Sequence, residues 1–195
     1  MKKKVIIIGD GGHAVSCIDI IENSNNLKII GIITKSKTPK KKFLKKYKIL
    51  GSEKELIKFK KLTRYLVLGI SFFNDLKKRQ KFISKFTKNG FKFVSMISKN
   101  SKISNNAKID EGVQIFNNVI VGGNSYIGKN AVLNNGSIVE HDVFINDNAH
   151  ISTGVIINGG CQIDRNTFIG SGSILRQNIR IGKNKFIKMS SVIIK

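Results

Sequence analysis

Counting in steps of six from Ile103 lands on an aliphatic residue sixteen times in succession: Ile103, Ile109, Ile115, Val121, Ile127, Leu133, Val139, Ile145, Ile151, Ile157, Ile163, Ile169, Leu175, Ile181, Ile187 and Ile193. Hydrophobic residues make up only 41% of the chain, so chance does not sustain that run. Two residues before each anchor the side chain is mostly small or β-branched, as at Val113, Ala131, Ser137, Val143, Ala149, Val155 and Cys161. Alternate side chains of a strand share a face, so the anchor and the residue two before it point inward together. One residue after the anchor, Gly, Asn, Asp and Ser dominate, types that tolerate the left-handed backbone of a tight corner. Three hexads then close one coil of a triangular prism, and stacked coils bury a continuous aliphatic column. Residues 99–195 are expected to form a parallel β-helix of about five coils.

Residues 1–98 follow another pattern. A buried strand over Lys4–Ile8 runs into the turn Gly9-Asp10-Gly11-Gly12-His13, and Ala14–Glu22 is helical with Val15, Ile18 and Ile21 on one face. Strands are expected over Leu27–Ile33 and Tyr65–Ile70, then a helix over Asn74–Lys88 stopped by Gly90, then a strand over Phe91–Met96 that leads into the coils. The βαβ order predicts a small parallel sheet, hence an α/β domain.

No apolar run approaches a membrane span, and the run Val5–Ile8 behind the basic start is too short for a signal peptide. The expectation is a cytoplasmic protein that uses no membrane. Two cysteines give neither a disulfide framework nor metal spacing. Net charge is +23, carried mostly by lysines of the first half. Such a charge suggests nucleic acid or another polyanion, or a lysine-rich composition without function. Helix-turn-helix, zinc and RNA-recognition signals are absent, so no nucleic-acid partner is expected. The lysine-rich segment 35–48 reads either as a solvated loop or as a basic lip over a phosphate-bearing ligand.

The chain has three histidines. At Val139 the turn after the anchor reads Glu140-His141-Asp142, which sets an outward imidazole between two carboxylates at a coil corner. A carboxylate that orients the ring and stabilises the imidazolium makes a general base near neutral pH. His150 directly precedes anchor Ile151, so it too faces outward, either for a ligand or for packing. His13 closes the glycine turn. Cys161 occupies an inward slot and reads as core, which favours direct transfer over a covalent route. Gly9, Gly11 and Gly12 resemble a phosphate-cradling turn, but Ala14 replaces the last glycine of G-x-G-x-x-G and Thr34-Lys35 stand where an acid would hold a ribose. That argues against NAD and leaves backbone amides for a phosphate or sugar hydroxyl. Three histidines per site would be needed for a carbonic-anhydrase-like metal helix, and the coils hold two, so no metal is expected.

The stretch Val5–Ala14 resembles the opening of the sugar O-/N-acyltransferases of the sialic-acid O-acetyltransferase type, a family that includes N-acetyltransferases acting on nucleotide-linked 4-amino-4,6-dideoxy sugars. Leu133–Asp142 is similar to their active-site coil and Ala149–Gly154 to the next. The resemblance implies a Rossmann-like sugar- or nucleotide-binding domain over 1–98 and a left-handed β-helix acetyltransferase domain over 99–195. It implies a homotrimer with acetyl-CoA between coils, His141 as base, Asp142 holding it, His150 on the pantetheine arm or thioester, and the Gly159 amide at the thioester oxygen. Gly9, Gly11, Gly12 and His13 would hold the sugar or nucleotide, with Asn134 reaching it across the interface. The implied reaction is acetylation of a nucleotide-linked amino sugar for surface glycans. O-acetylation of a sialic-acid-like sugar is the alternative, and a polyanion-binding scaffold is a reading from another class. Thr34-Lys35-Ser36 depart from the acidic residues expected after the second strand. The sequence also ends at Lys195 without the Gly-Val-Pro-Ala-type segment that commonly helps cover CoA.

Overall fold

The computed structural model describes residues 2–24, 26–36, 41–71 and 74–195. Lys37 and Lys40 of the lysine-rich segment lie outside the described residues. The first half is a parallel sheet of β1 (Lys3–Ile8), β2 (Leu27–Ile33), β3 (Ile49–Gly51), β4 (Tyr65–Leu68) and β5 (Lys92–Phe93), in the order β3-β2-β1-β4-β5. Helices α1 (Gly12–Glu22) and α2 (Leu76–Lys88) complete it. The near-continuous apolar run of β1 follows from its central place: Val5, Ile6, Ile7 and Ile8 are buried on both faces. Asp75 caps α2 by accepting from Lys78 N at 2.8 Å.

Two details differ from the sequence reading. The edge strand β3 lies just past a segment read as loop, where Lys42–Lys46 forms a short 3-10 turn. The single strand expected over Phe91–Met96 is two short ones. Lys92–Phe93 pairs with β4, whereas β6 (Met96–Ile97) pairs with Gln114–Ile115 of the coils. Between them Val94 N still bonds Leu66 O at 3.0 Å, and Met96 N has switched to Val113 O at 2.8 Å. The chain therefore changes sheets within three residues.

From Met96 onward the strands are two residues long and pair at offsets of eighteen, as in Ile120↔Ile138 and Val121↔Val139. Among the described residues they build three parallel sheets of six, six and five strands. Every anchor from Ile115 to Leu175 is at most 2% exposed, while Ile103, Ile109, Ile187 and Ile193 in the end coils are only partly buried. The corner chemistry differs from the expectation. The left-handed residue is the third after the anchor, as at Asn124, Asn130, Asp142, Asn148 and Asn166, with φ between 57° and 59°. Glycine directly after the anchor answers a different demand, close approach of the next coil. A Cβ on Gly122 would lie 2.6 Å from His141 N, and one on Gly170 2.4 Å from Met189 N.

One prism face is covered by the first domain. Its outward column runs Met96, Gln114, Val132, His150, Phe168 and Phe186. Helix α1 buries Ala14, Cys17 and Ile18 in one cluster with Met96, Phe116 and Val132. Helix α2 docks through polar groups. Arg79 is fully buried and donates to Asn130 O at 2.7 Å and to Asn148 Oδ1. Asn148 in turn donates to Leu76 O at 2.8 Å and to Asn166 Oδ1 at 2.7 Å, and Asn166 donates to Gln80 Oε1 at 3.1 Å. The corner asparagines thus serve both the left-handed turn and the domain interface. Replacing Arg79 with Ala empties a buried volume and strips two acceptors of their donor. It is expected to lower unfolding free energy by about 2–4 kcal/mol, read by urea denaturation. An unchanged midpoint would show that the latch carries no stability.

Candidate active site

His141 and Asp142 occupy the two turn positions of one coil corner, between Val139 and Val143. The left-handed backbone of Asp142 (φ 59°) turns its carboxylate back onto the preceding ring, and Oδ2 lies 2.7 Å from His141 Nδ1. Asn124, eighteen residues earlier at the same corner, donates to the other carboxylate oxygen. These two hydrogen bonds, His141 first, hold the Asp142 carboxyl below its usual pKa. The carboxylate accepts the Nδ1 hydrogen, which leaves Nε2 with its lone pair. The His141 side chain is 60% exposed, so that nitrogen is open to a ligand.

The ring lies over Gly159, one coil further. A Cβ there would come within 2.7 Å of Cε1 and 2.8 Å of Nε2, so any side chain at 159 displaces the imidazole. Gly160 N bonds His141 O at 3.1 Å, whereas Gly159 N–H makes no backbone hydrogen bond among the described residues. Glu140 stands beside the dyad, with its backbone O accepting from Ser125 Oγ at 2.7 Å. Cys161 is buried, as its inward slot predicted, and burial raises its thiol pKa.

The other two histidines lie where the first domain meets the covered prism face, His13 on α1 and His150 on the prism itself. His150 projects outward from its coil, as expected, but the first domain closes over it and leaves it 4% exposed. Its ring packs on Phe168 with centroids 5.1 Å apart, and its Nδ1 is buried without a partner. His13 Nε2 lies 2.8 Å from Gln114 Oε1, and Gln114 spends its amide on Leu68 O at 2.9 Å. Gln114 can therefore only accept from His13, which fixes the hydrogen on Nε2 and leaves Nδ1 as an acceptor. His13, Asn134 and His150 line one cavity of about 290 Å³ with Phe116, Ser152 and Phe168. Asn134 thus shares a cavity wall with His13 within one chain. Gln114 and Arg79 were not singled out from the sequence. Gln114 takes an outward slot of an ordinary hexad, and Arg79 is one of many cations on a charged helix, so neither carries a local signal.

His13 also lines a larger cavity, of about 660 Å³, at the C-terminal edge of the parallel sheet. Gly9 enters the turn with φ 105°, and a Cβ there would meet Ile70 at 2.6 Å. Added Cβ atoms at Gly11 and Gly12 would touch nothing within 4 Å, so the start of α1 is open to this cavity. Lys35 and Lys41 of the basic segment reach its wall, as does Lys78 of α2, beside Asp10 and Glu53. Asp10 Oδ2 is buried without a partner. Among the described residues no group of three His, Cys, Asp or Glu side chains could hold a metal ion, and no helix is long and apolar enough to cross a membrane.

Comparison with known families places both halves. The GMPPB C-terminal domain family matches residues 97–195, half of the chain, and the PglD N-terminal domain family matches residues 4–86. The chain belongs to the GMPPB C-terminal domain family. Ahead of those coils, residues 4–86 are similar to the PglD N-terminal domain. Solved structures of similar shape span nearly the whole chain. A mutant perosamine N-acetyltransferase from Caulobacter crescentus, in complex with CoA and GDP-perosamine, is 23% identical with a TM-score of 0.89, over 98% of this chain and 89% of that one. The acetyltransferase domain of PglB from Neisseria gonorrhoeae is 20% identical with a TM-score of 0.87, over 99% and 92%, and a second structure of it holds acetyl coenzyme A. WeeI from Acinetobacter baumannii is 22% identical with a TM-score of 0.85, over 100% and 92%. The shared fold is a Rossmann-like domain followed by a left-handed parallel β-helix.

Burial holds two titratable rings neutral: His13 is lowered to about 4 and His150 to about 3, each first by desolvation. An unfolded chain takes protons on both near pH 6.5, whereas the folded chain refuses them until about pH 4 and below. The unfolded state then binds more protons, so stability rises with pH across that window. Melting temperature is expected to climb from pH 4 to pH 7, less steeply in a His13→Gln, His150→Asn double variant. Parallel profiles for the two proteins would contradict the burial.

Proposed function

We propose that the chain is a cytoplasmic acetyl-CoA-dependent acetyltransferase that moves an acetyl group to the amine of a nucleotide-linked amino sugar for surface glycan synthesis. The observation that carries the reading is the exposed His141 ring, bound through Nδ1 to Asp142 and resting on Gly159. Similar structures bound to CoA and GDP-perosamine, or to acetyl coenzyme A, support the same substrates.

His141 Nε2 takes a proton from the acceptor amine as its nitrogen attacks the thioester carbonyl carbon. The Gly159 amide donates to the oxygen as it gains negative charge. When the adduct collapses, the carbon–sulfur bond breaks, the amide remains on the sugar, and the CoA thiolate takes the proton back from the imidazolium. Asp142 keeps the ring oriented and stabilises its charged form in between. Gly11 and Gly12 leave room for the diphosphate at the start of α1, with Lys35, Lys41 and Lys78 supplying cations.

His141 and the cavity of His13, Asn134 and His150 lie on different parts of the prism, which supports a site shared between copies. Next to the His141 corner, one sheet presents Ile120, Ile138, Ile156, Ile174 and Val192 outward in one column. Ile120, Ile174 and Val192 are exposed in the single chain. Association of three copies through this column covers it and turns the His13, Asn134 and His150 wall of one copy toward His141 of the next. His150 then meets the pantetheine arm or thioester.

Release of free thiol from acetyl-CoA, measured with nucleotide-linked 4-amino sugars and with free and CMP-linked sialic acids, tests the reaction. Turnover is expected with an amino sugar and is expected to fall on the order of 10²-fold in kcat in His141→Ala, with little change in acceptor binding. Turnover only with sialic acids would move the reading to O-acetylation, and equal rates in both proteins would remove the base. Three copies of 21.7 kDa are expected to sediment together as a particle of about 65 kDa. A fully active monomer would rule out the shared site.

A further inference from the structure

The cavity at the sheet edge contains an acid that the second strand does not supply. Four loops meet there in strand order: the one after β3, with Glu53; the one after β2, with Thr34, Lys35 and Ser36; the glycine turn after β1; and Gly69–Ser71 after β4. Ligands of open parallel sheets lie in this crevice, outside the carboxyl ends of the strands. Neighbouring strands are about 4.8 Å apart, so the β3 loop stands about 10 Å from the glycine turn. A nucleoside reaches across that gap when its phosphates sit at the start of α1. The base then meets Glu53.

Glu53 is half-buried and lines the cavity, yet it joins no ion pair among the described residues. Its neighbour Glu55 is engaged by Ser52 N at 3.0 Å and by Lys58, and faces a structural task. The other carboxylate of the wall, Asp10, belongs to the glycine turn itself, where the phosphates and not the base would lie. Glu53 is therefore the carboxylate of this wall left for a base edge. A carboxylate only accepts hydrogen bonds. Guanine offers it two adjacent donors, N1–H and the N2 amine, which match its two oxygens. Uracil and thymine offer one N–H flanked by two carbonyl oxygens, which a carboxylate repels. Adenine and cytosine offer one amine beside a ring-nitrogen acceptor.

Resting on the acceptor reading above, we propose that the nucleotide of the acceptor is guanosine diphosphate and that Glu53 is the residue that selects it. The lysines at 35 and 41 meet the diphosphate charge, and the bidentate carboxylate–guanine contact sets the base.

Calorimetric titration of the full chain with GDP, UDP, dTDP, CDP and ADP, in the absence of acetyl-CoA, tests this without requiring turnover. GDP is expected to bind at least about tenfold more tightly than the others, the loss typical of a missing hydrogen bond to a charged group. Glu53→Gln keeps the size of the side chain but presents an amide NH2 to the guanine N2 amine. It is expected to weaken GDP about tenfold and to tighten UDP, whose N3–H and flanking carbonyl match the amide oxygen and NH2. Glu53→Ala is expected to weaken GDP without that gain for UDP. Equal or tighter binding of UDP or dTDP than of GDP by the unaltered chain, or GDP affinity untouched in both variants, overturns the assignment and leaves the nucleotide-linked acceptor standing. Failure of all five diphosphates to bind overturns both.

Discussion

The positions of His141, Asp142 and Gly159 depend on the direct stacking of one coil on the next. An offset of eighteen residues puts Asn124 above Asp142, Gly122 above Glu140, and His141 above Gly159. The inward aliphatic column fixes that offset, because a slip of one residue would turn every anchor to solvent. Interiors are packed too tightly to absorb such a change. The geometry of the candidate site is therefore a consequence of core packing: a turn in one coil supplies the histidine, the coil before it steadies the carboxylate, and the coil after it offers a glycine floor.

The same lattice makes a second demand, and the first domain answers it. A β-helix face that projects Gln114, Val132, His150 and Phe168 is half apolar and half polar, and it must be covered or solvated. Helix α1 covers the apolar part, while Arg79 on α2 reaches the corner asparagines. A buried guanidinium without a carboxylate is expensive, and its Nε has no partner here. In return α2 is held at one height along the prism, and Lys78 beside Arg79 reaches the large cavity. The interface and the ligand wall are thus built on adjacent residues of one helix.

The β-helix was legible in the sequence because its period is strict and long. Sixteen anchors leave no other fold that buries them all. His141 and Asp142 were legible because they interrupt the turn chemistry of the repeat. The left-handed corner lies two positions beyond the residue that the sequence pattern suggests. Glycine after the anchor suggested a left-handed turn, but the structure uses it for clearance, and the third residue takes the left-handed conformation. A repeat pattern records which side chains are tolerated without saying which constraint excludes the rest. His150 was read correctly as pointing out of the coil. Its burial came from a contact between residues more than a hundred positions apart, which no local pattern encodes. Strand β3, and with it the place of Glu53 in the cavity wall, was hidden for a related reason: three residues beyond a lysine-rich stretch carry too little periodicity to announce a strand.

Nine residues separate His141 from His150, and nine is half of eighteen. Half a coil on a three-sided prism puts two residues on different parts of its perimeter, so they cannot serve one thioester within a single chain. His141 is exposed and hydrogen-bonded to an acid. His150 is buried, His13 is half-buried, and desolvation holds both uncharged, suited to accepting or donating a hydrogen bond without titrating near neutral pH. Chemistry that needs both kinds of ring needs two surfaces brought together. The exposed Ile120–Val192 column borders the His141 corner, so under the proposed function a copy seated on this apolar face would also complete the site. Self-association and catalysis would then have one physical cause, the burial of the same strip of β-helix.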